Sequence, residues 1–250
     1  SPIIKYVSAK NRKKKRIIKI KKKQWLNNYL DATKYKDIDL IVELIGGAEG
    51  PAKKLVFNAL NNKKHVVTAN KALIAKYGDQ LAKIAEKNKV NLEFEASVCG
   101  GVPIIRSLKE SLIANKISKI YGIFNGTSNY ILSSMDKQKK SFNDVLSNAK
   151  KLGYAESNPS ADLNGDDVSS KLKILSSLCF SSFLNNNIYV EGIKNIDRVD
   201  IDNANKLGYK IKLLGFAELL DNKIYQRVHP TLIKKESYVA SIDGVLNAVI

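Results

Sequence analysis

The segment Asp39-Leu40-Ile41-Val42-Glu43-Leu44-Ile45 constrains this chain more than any other stretch. A run so nearly free of polar residues marks a central parallel strand with both faces covered; a strand with one wet face alternates instead. It runs into Gly46-Gly47, and Pro51 then opens a helix to about residue 61, since proline fits the first helical turn. Residues 65–69 read as a second short buried strand, followed by a helix in two stretches broken near Gly78. Residues 90–96 read as a third strand, and residues 3–7 as one preceding them all. Strands alternating with helices at this spacing indicate right-handed βαβ units and a doubly wound parallel sheet.

After Gly100-Gly101 the pattern changes. Residues 103–114 read as a helix with Ile104, Ile105, Leu108 and Leu112 on one side, and 117–124 as a strand. Helices are expected at 129–136, 142–152 and 161–180, the last with Val168, Leu172, Leu175 and Cys179 at helical spacing. Strands are expected at 188–193, 210–219, 223–228 and 246–250. The fold class is therefore α/β: an incomplete Rossmann-type doubly wound sheet over residues 1–102, then an α+β domain with a mixed sheet over 103–250.

At 250 residues the chain is long enough for a sizeable core. No apolar run approaches the roughly 20 residues that span a bilayer. Cys99 and Cys179 form no CxxC pair, which excludes a disulfide scaffold and a cysteine zinc site; both read as reduced thiols. Lysine and arginine number 42 against 24 acidic residues, a formal charge of +18. That suits an anionic partner, and a drift toward A/T-rich codons would give the same lysine excess. The chain starts without Met or a signal peptide and both ends look strand-like, so it is expected to be an internal piece of a longer cytoplasmic protein.

Ligands of a doubly wound sheet sit at the carboxyl ends of its strands. This directs attention to residues 8–12, Ile45-Gly46-Gly47, Thr68-Ala69-Asn70-Lys71 and residues 98–102. No GxGxxG loop is present. The loop Ser8-Ala9-Lys10-Asn11-Arg12 is basic and lacks the carboxylate that would take a ribose hydroxyl, which favours NADP over NAD; a solvent-facing lysine-rich loop has the same composition. Farther on, Glu156 and Asp162 lead into a helix that Ser160 can cap, on which Asn164, Asp167 and Lys171 share one stripe. An exposed Asp167–Lys171 pair would be worth a few tenths of a kcal/mol. The carboxylates before it suggest a grip on a substrate ammonium, with Lys171 as proton carrier. His65 and His229 lack companions at metal-ligand spacing and read as structural.

Four motifs together resemble homoserine dehydrogenases. They are Val67-Thr68-Ala69-Asn70-Lys71-Ala72-Leu73, Phe94-Glu95-Ala96-Ser97-Val98-Cys99-Gly100-Gly101-Val102-Pro103, Asn125-Gly126-Thr127-Ser128-Asn129-Tyr130, and Gly153-Tyr154-Ala155-Glu156 with Asp162-Leu163-Asn164-Gly165-Asp166-Asp167 and Lys171. The resemblance implies an NAD(P)-dependent interconversion of L-homoserine and L-aspartate 4-semialdehyde, on the route to threonine, methionine and isoleucine. It implies Lys171 as the catalytic proton carrier, Asp167 as its support, and Glu156, Asp162 and Lys71 as substrate residues. Ser8, Lys10, Arg12, Ile45, Gly46, Thr68 and Lys71 would meet the cofactor. Glu95 would offer a carboxylate, and Val98, Gly100 and Val102 their carbonyls, to a sodium or potassium ion.

A homodimer or higher homo-oligomer through the second domain's sheet is also implied. The glycine-rich loop and the closing segment of the family are missing, so this polypeptide alone is expected to bind NADP weakly and turn over little. Competing readings are a related amino-acid dehydrogenase, an inactive binding relative, and a nucleic-acid module built on residues 10–23. The last lacks the interleaved aromatics of a single-strand groove, and no nucleic-acid partner is expected.

Overall fold

The apolar runs of the first half pair side by side. In a computed structural model describing residues 2–180 and 188–250, β1 (Leu40–Glu43), β2 (His65–Thr68) and β3 (Leu92–Glu93) form a parallel sheet in that order. Residues 1–97 form one unit and residues 98–250 another.

In the first unit, α1 (Pro51–Asn61) starts at Pro51 and buries Ala52, Leu55, Val56, Ala59 and Leu60, one helical stripe. The next helix, α2 (Lys71–Asn88), is capped by the Asn70 side chain, which accepts from Leu73 N at 3.1 Å. It buries Leu73, Ile74, Leu81 and Ala85. The expected break near Gly78 does not occur. Gly78 lies on the buried stripe, where packing offsets the roughly 1 kcal/mol that glycine costs a helix.

Three further expectations fail in this unit. Ile41 and Glu43 of β1 are buried, but Leu40 and Val42 are exposed, so this strand is wet on one face. Residues 3–7 make only a single bridge, Val7 to Trp25, and Ile3 and Ile4 are exposed. A β-prone run becomes a strand only where a neighbour offers a ladder, and here only Val7 has one. The third strand is shorter than residues 90–96, because Glu95–Ser97 closes into a 3-10 turn.

The second unit begins with α3 (Ile104–Arg106), which widens into a π turn over Ser107–Ser111 rather than continuing to residue 114. Then follow β4 (Lys119–Ile123), α4 (Gly126–Gln138), α5 (Phe142–Lys151), α6 (Ser160–Asn164) and α7 (Asp166–Phe180). After these come β5 (Tyr189–Val190), α8 (Arg198–Lys206), β6 (Tyr209–Leu220), β7 (Lys223–Lys234), α9 (Tyr238–Ser241) and β8 (Ala248–Val249). The sheet order is β5-β7-β6-β4-β8; β5 pairs parallel to β7 and the other pairs are antiparallel, the mixed sheet expected. The hairpin of β6 and β7 turns at Asp221-Asn222, both at positive φ, as a two-residue hairpin requires.

β7 runs on through Pro230 instead of stopping at Val228. Its second neighbour, β5, reaches only Arg227 and Val228, so the missing N–H of Pro230 falls where β7 has one partner strand.

Lys212 of β6 is buried to 1% exposure. Its ammonium donates to Asn129 Oδ1 at 3.1 Å and Ser133 Oγ at 3.2 Å on α4, and to Ile242 O and Asp243 Oδ1 (2.9 Å) beyond α9. Burial lowers the Lys212 pKa. Burial alone would raise that of Asp243, but hydrogen bonds from Lys137 and Lys212 bring it down to about 2.

A folded pKa below the ordinary carboxylate value contributes stability that is present above about pH 4 and lost as pH falls toward 2, roughly 2 kcal/mol in all. Removing that charge strands a buried ammonium, so Asp243→Asn is expected to cost about 3 kcal/mol at pH 7 and to flatten the acid limb. Lys212→Met, which leaves a partly wet carboxylate behind, is expected to cost less. Denaturant titration of the full-length protein at pH 7 and pH 3 measures both, and an Asp243→Asn variant as stable as wild type contradicts the assignment.

Candidate active site

A proton carrier needs an amino group that is shielded, oriented and within reach of a reacting oxygen. The second unit holds a shielded, hydrogen-bonded amino group where β4 ends. Phe124 and Asn125 follow that strand, and Asn125 caps α4, its Oδ1 accepting from Ser128 N at 2.8 Å. The amide Nδ2 of the same residue donates to Asp162 Oδ1 at 2.7 Å and to Asp167 Oδ2 at 2.8 Å. Lys171 Nζ lies 2.8 Å from that Asp167 oxygen and donates to Phe124 O at 2.7 Å.

The Asp167 side chain is 3% exposed and that of Lys171 14%, so this is not the wet helix-face pair that its spacing alone describes. Among the described residues the Lys171 nitrogen has two partners, the Asp167 carboxylate and Phe124 O.

The helix expected over 161–180 is in fact two. Gly165, at φ +87, breaks it between α6 and α7. Asn164 therefore sits on α6 and is exposed, and does not share a stripe with Asp167 and Lys171. The break lets α6 turn Asp162 toward Asn125 while α7 carries Asp167 and Lys171. The turn is seated against the sheet: Ile193 N donates to Leu163 O at 2.8 Å, and a Cβ on Gly192 would stand 2.0 Å from that oxygen. Ser160 is not the cap of α6; Pro159 holds that position, and the Ser160 hydroxyl donates to Asn158 Oδ1.

Glu156 lies exposed in the loop between α5 and α6, outside the hydrogen-bonded cluster. Asn125 was missed as a site residue. Its signal, an Asn directly before a helix, is fully explained by capping, and only the structure shows its second bond set.

Cys99 is buried with φ +53, and burial pushes its thiol up to about 11, with Lys171 lowering and Asp167 raising it. Such a thiol stays protonated near neutral pH, in keeping with a non-nucleophilic role. His65 Nδ1 accepts from Asn91 N and His229 Nδ1 contacts Pro230 O, both local structural roles.

In the first unit, Ile45, Gly46, Thr68 and Lys71 gather at the carboxyl edge of the parallel sheet, just past β1 and β2. Gly46 and Gly47 take φ +85 and +81, and a Cβ on Gly46 would meet nothing within 4 Å, an open approach for a ligand. Ser8, Lys10 and Arg12 lie in the separate basic loop. Arg12 donates to Leu26 O and to Asn27 Oδ1, and both it and Arg16 lie over the Trp25 ring, at 5.6 and 5.0 Å.

Glu95 opens the 3-10 turn, while Val98 is buried, Gly100 has φ +39, and Val102 N donates to Cys99 O at 2.9 Å. Among the described residues no group of three or more His, Cys, Asp or Glu side chains could hold a metal ion.

Known proteins match each of the chain's two units. The family described as homoserine dehydrogenase matches residues 103–250, and its NAD binding domain matches residues 4–95. A homoserine dehydrogenase of Neisseria gonorrhoeae is 50% identical over 215 residues, 86% of this chain and 49% of that protein. The solved homoserine dehydrogenase of Thiobacillus denitrificans superposes with a TM-score of 0.86 at 48% identity, covering 90% of this chain and 52% of that one. A hyperthermophilic archaeal homoserine dehydrogenase solved in complex with NADPH gives 0.76 at 27% identity, covering 89% and 64%. The chain spans about half the length of the curated relatives it matches. On these matches, across both of its units, the chain belongs to the homoserine dehydrogenase family.

Proposed function

We propose that the protein containing this chain interconverts L-homoserine and L-aspartate 4-semialdehyde with a nicotinamide dinucleotide, a cytoplasmic step of amino-acid biosynthesis. Residues 1–102 serve the dinucleotide and residues 103–250 the amino-acid substrate. The observation that carries this reading is the buried Asn125–Asp167–Lys171 chain with Asp162 beside it.

An alcohol is too weak an acid to ionise unaided at pH 7, so its oxidation needs a positioned proton acceptor, and reduction of the aldehyde needs a donor. Lys171 fills both roles at the substrate oxygen: as a neutral amine, with two hydrogens on Asp167 and Phe124 O, it accepts the hydroxyl proton on its lone pair, and as the resulting ammonium it returns that proton in the reducing direction. Asp167 fixes the direction of the ammonium group. Asn125, by binding both carboxylates, fixes Asp167 and Asp162 together; Asp162 keeps Oδ2 to accept from the substrate ammonium, and Glu156 from the exposed loop adds a second carboxylate.

The bound dinucleotide supplies the hydride acceptor and donor. Its fit rests on the open turn at Gly46 and on Ile45, Thr68 and Lys71 at the same sheet edge. The basic residues Lys10 and Arg12, with Ser8, favour NADP through its 2′-phosphate. A sodium or potassium ion would take the Glu95 carboxylate and the carbonyls of Val98, Gly100 and Val102, oxygen donors suited to a hard cation. A homodimer through the sheet of the second unit is supported by Leu220 and Tyr225, exposed on one face of the β6–β7 hairpin.

Two results are expected of the full-length protein. Lys171→Ala lowers kcat for homoserine oxidation by about 100-fold or more while homoserine KM moves only a few-fold, and an unchanged kcat removes Lys171 from its role. Asn125→Asp, which sets a third carboxylate against two others, lowers kcat more than Asn125→Ser does. An Asn125→Asp variant as active as Asn125→Ser, or more active, would contradict the role given to its two N–H donors.

A further inference from the structure

Glu43 ends β1 with no exposed surface, and the proton chemistry proposed above does not use it. An uncompensated carboxylate in a protein interior is costly, and among the described residues no cation pairs with this one. It is answered by three donors instead. Oε1 accepts from Ile45 N at 2.6 Å and Gly46 N at 3.0 Å, and Oε2 accepts from Thr68 Oγ1 at 2.5 Å. Thr68 Oγ1 accepts in turn from Asn70 N at 3.0 Å, and Asn70 Nδ2 returns to Gly47 O at 2.8 Å. The bonds close a ring that joins the turn after β1 to the turn after β2.

Gly46 and Gly47 hold left-handed backbone, which an unrestrained loop would leave readily. The far end of that loop is held independently. Glu49 accepts from Lys76 at 2.8 Å, from Lys53 at 3.2 Å and from the Tyr77 hydroxyl, contacts that keep its carboxyl at about 2. Loss of Glu43 would therefore shift the near turn without releasing the whole loop.

We propose that Glu43 is a positioning residue for the dinucleotide: it locks the Ile45-Gly46-Gly47 turn to the Thr68–Lys71 turn and so sets affinity for the nicotinamide cofactor without touching the reacting atoms. The Ile45 and Gly46 N–H groups are occupied by Glu43, so this turn meets the cofactor through its carbonyls and glycine surfaces rather than as an anion-binding nest. The inference rests on the dinucleotide reading above.

The test uses the full-length protein, NADPH fluorescence for Kd, steady-state kinetics and thermal melting. Glu43→Ala is expected to raise the NADPH Kd by about tenfold or more, the loss of bonds to a charged acceptor, with homoserine KM within about threefold of wild type. Glu43→Gln keeps an oxygen for both N–H groups and is expected to recover most of the affinity. Thr68→Val, which preserves shape, is expected to weaken NADPH binding by a smaller factor.

An unchanged Kd in Glu43→Ala overturns the proposal, as does a lowered melting temperature with unchanged Kd. If Glu43→Ala does not fold, Thr68→Val decides, and wild-type affinity in that variant overturns it. A wild type that binds NADPH but does not oxidise homoserine refutes the proposed reaction and leaves the Glu43 claim to be judged on Kd.

Discussion

A charge can be buried only where the chain supplies its partners, and that requirement organises the larger unit. Lys171 and Lys212 are both largely withdrawn from water, and each is answered by an aspartate, Asp167 and Asp243. One helix serves both. Asn125 at the cap of α4 binds Asp167, and Asn129 and Ser133, one and two turns farther along, bind Lys212. Four-residue spacing places these three on one stripe, so α4 presents a polar seam within an otherwise apolar core. Removing one partner of a buried pair costs more than the pair contributes, which makes both networks sensitive to single substitutions.

The smaller unit meets the same requirement with the sign reversed. Glu43, a carboxylate at the carboxyl edge of a parallel sheet, is satisfied by backbone and hydroxyl donors instead of a cation. The two units thus reach ordered polar sites by different routes, ion pairs in one and a closed ring of hydrogen bonds in the other. The formal charge of +18 enters neither site to any extent. Arg12 and Arg16 spend part of their guanidinium surface on Trp25, and most remaining lysines lie exposed.

Much of the fold was legible in the residues. Strand and helix order, the mixed second sheet and the Asp167–Lys171 step all follow from periodicity. What periodicity could not show was long-range. The strand expected at residues 3–7 lacked a ladder, the helix at 161–180 yielded to Gly165, and β7 passed through Pro230 because its neighbour ends early. Spacing placed Lys171 beside Asp167 but could not tell a buried pair from a wet one. Asn125 hid behind its capping role, and the ring around Glu43 joins residues 25 positions apart, beyond any local pattern.

Chemical rescue tests most directly the claim that one buried amino group carries the substrate proton. In the full-length Lys171→Ala protein, small primary amines are expected to restore homoserine oxidation in proportion to their concentration, by about tenfold or more, while wild type does not respond. Near wild-type turnover in the variant, or lost turnover that no amine restores although NADPH still binds normally, would contradict it.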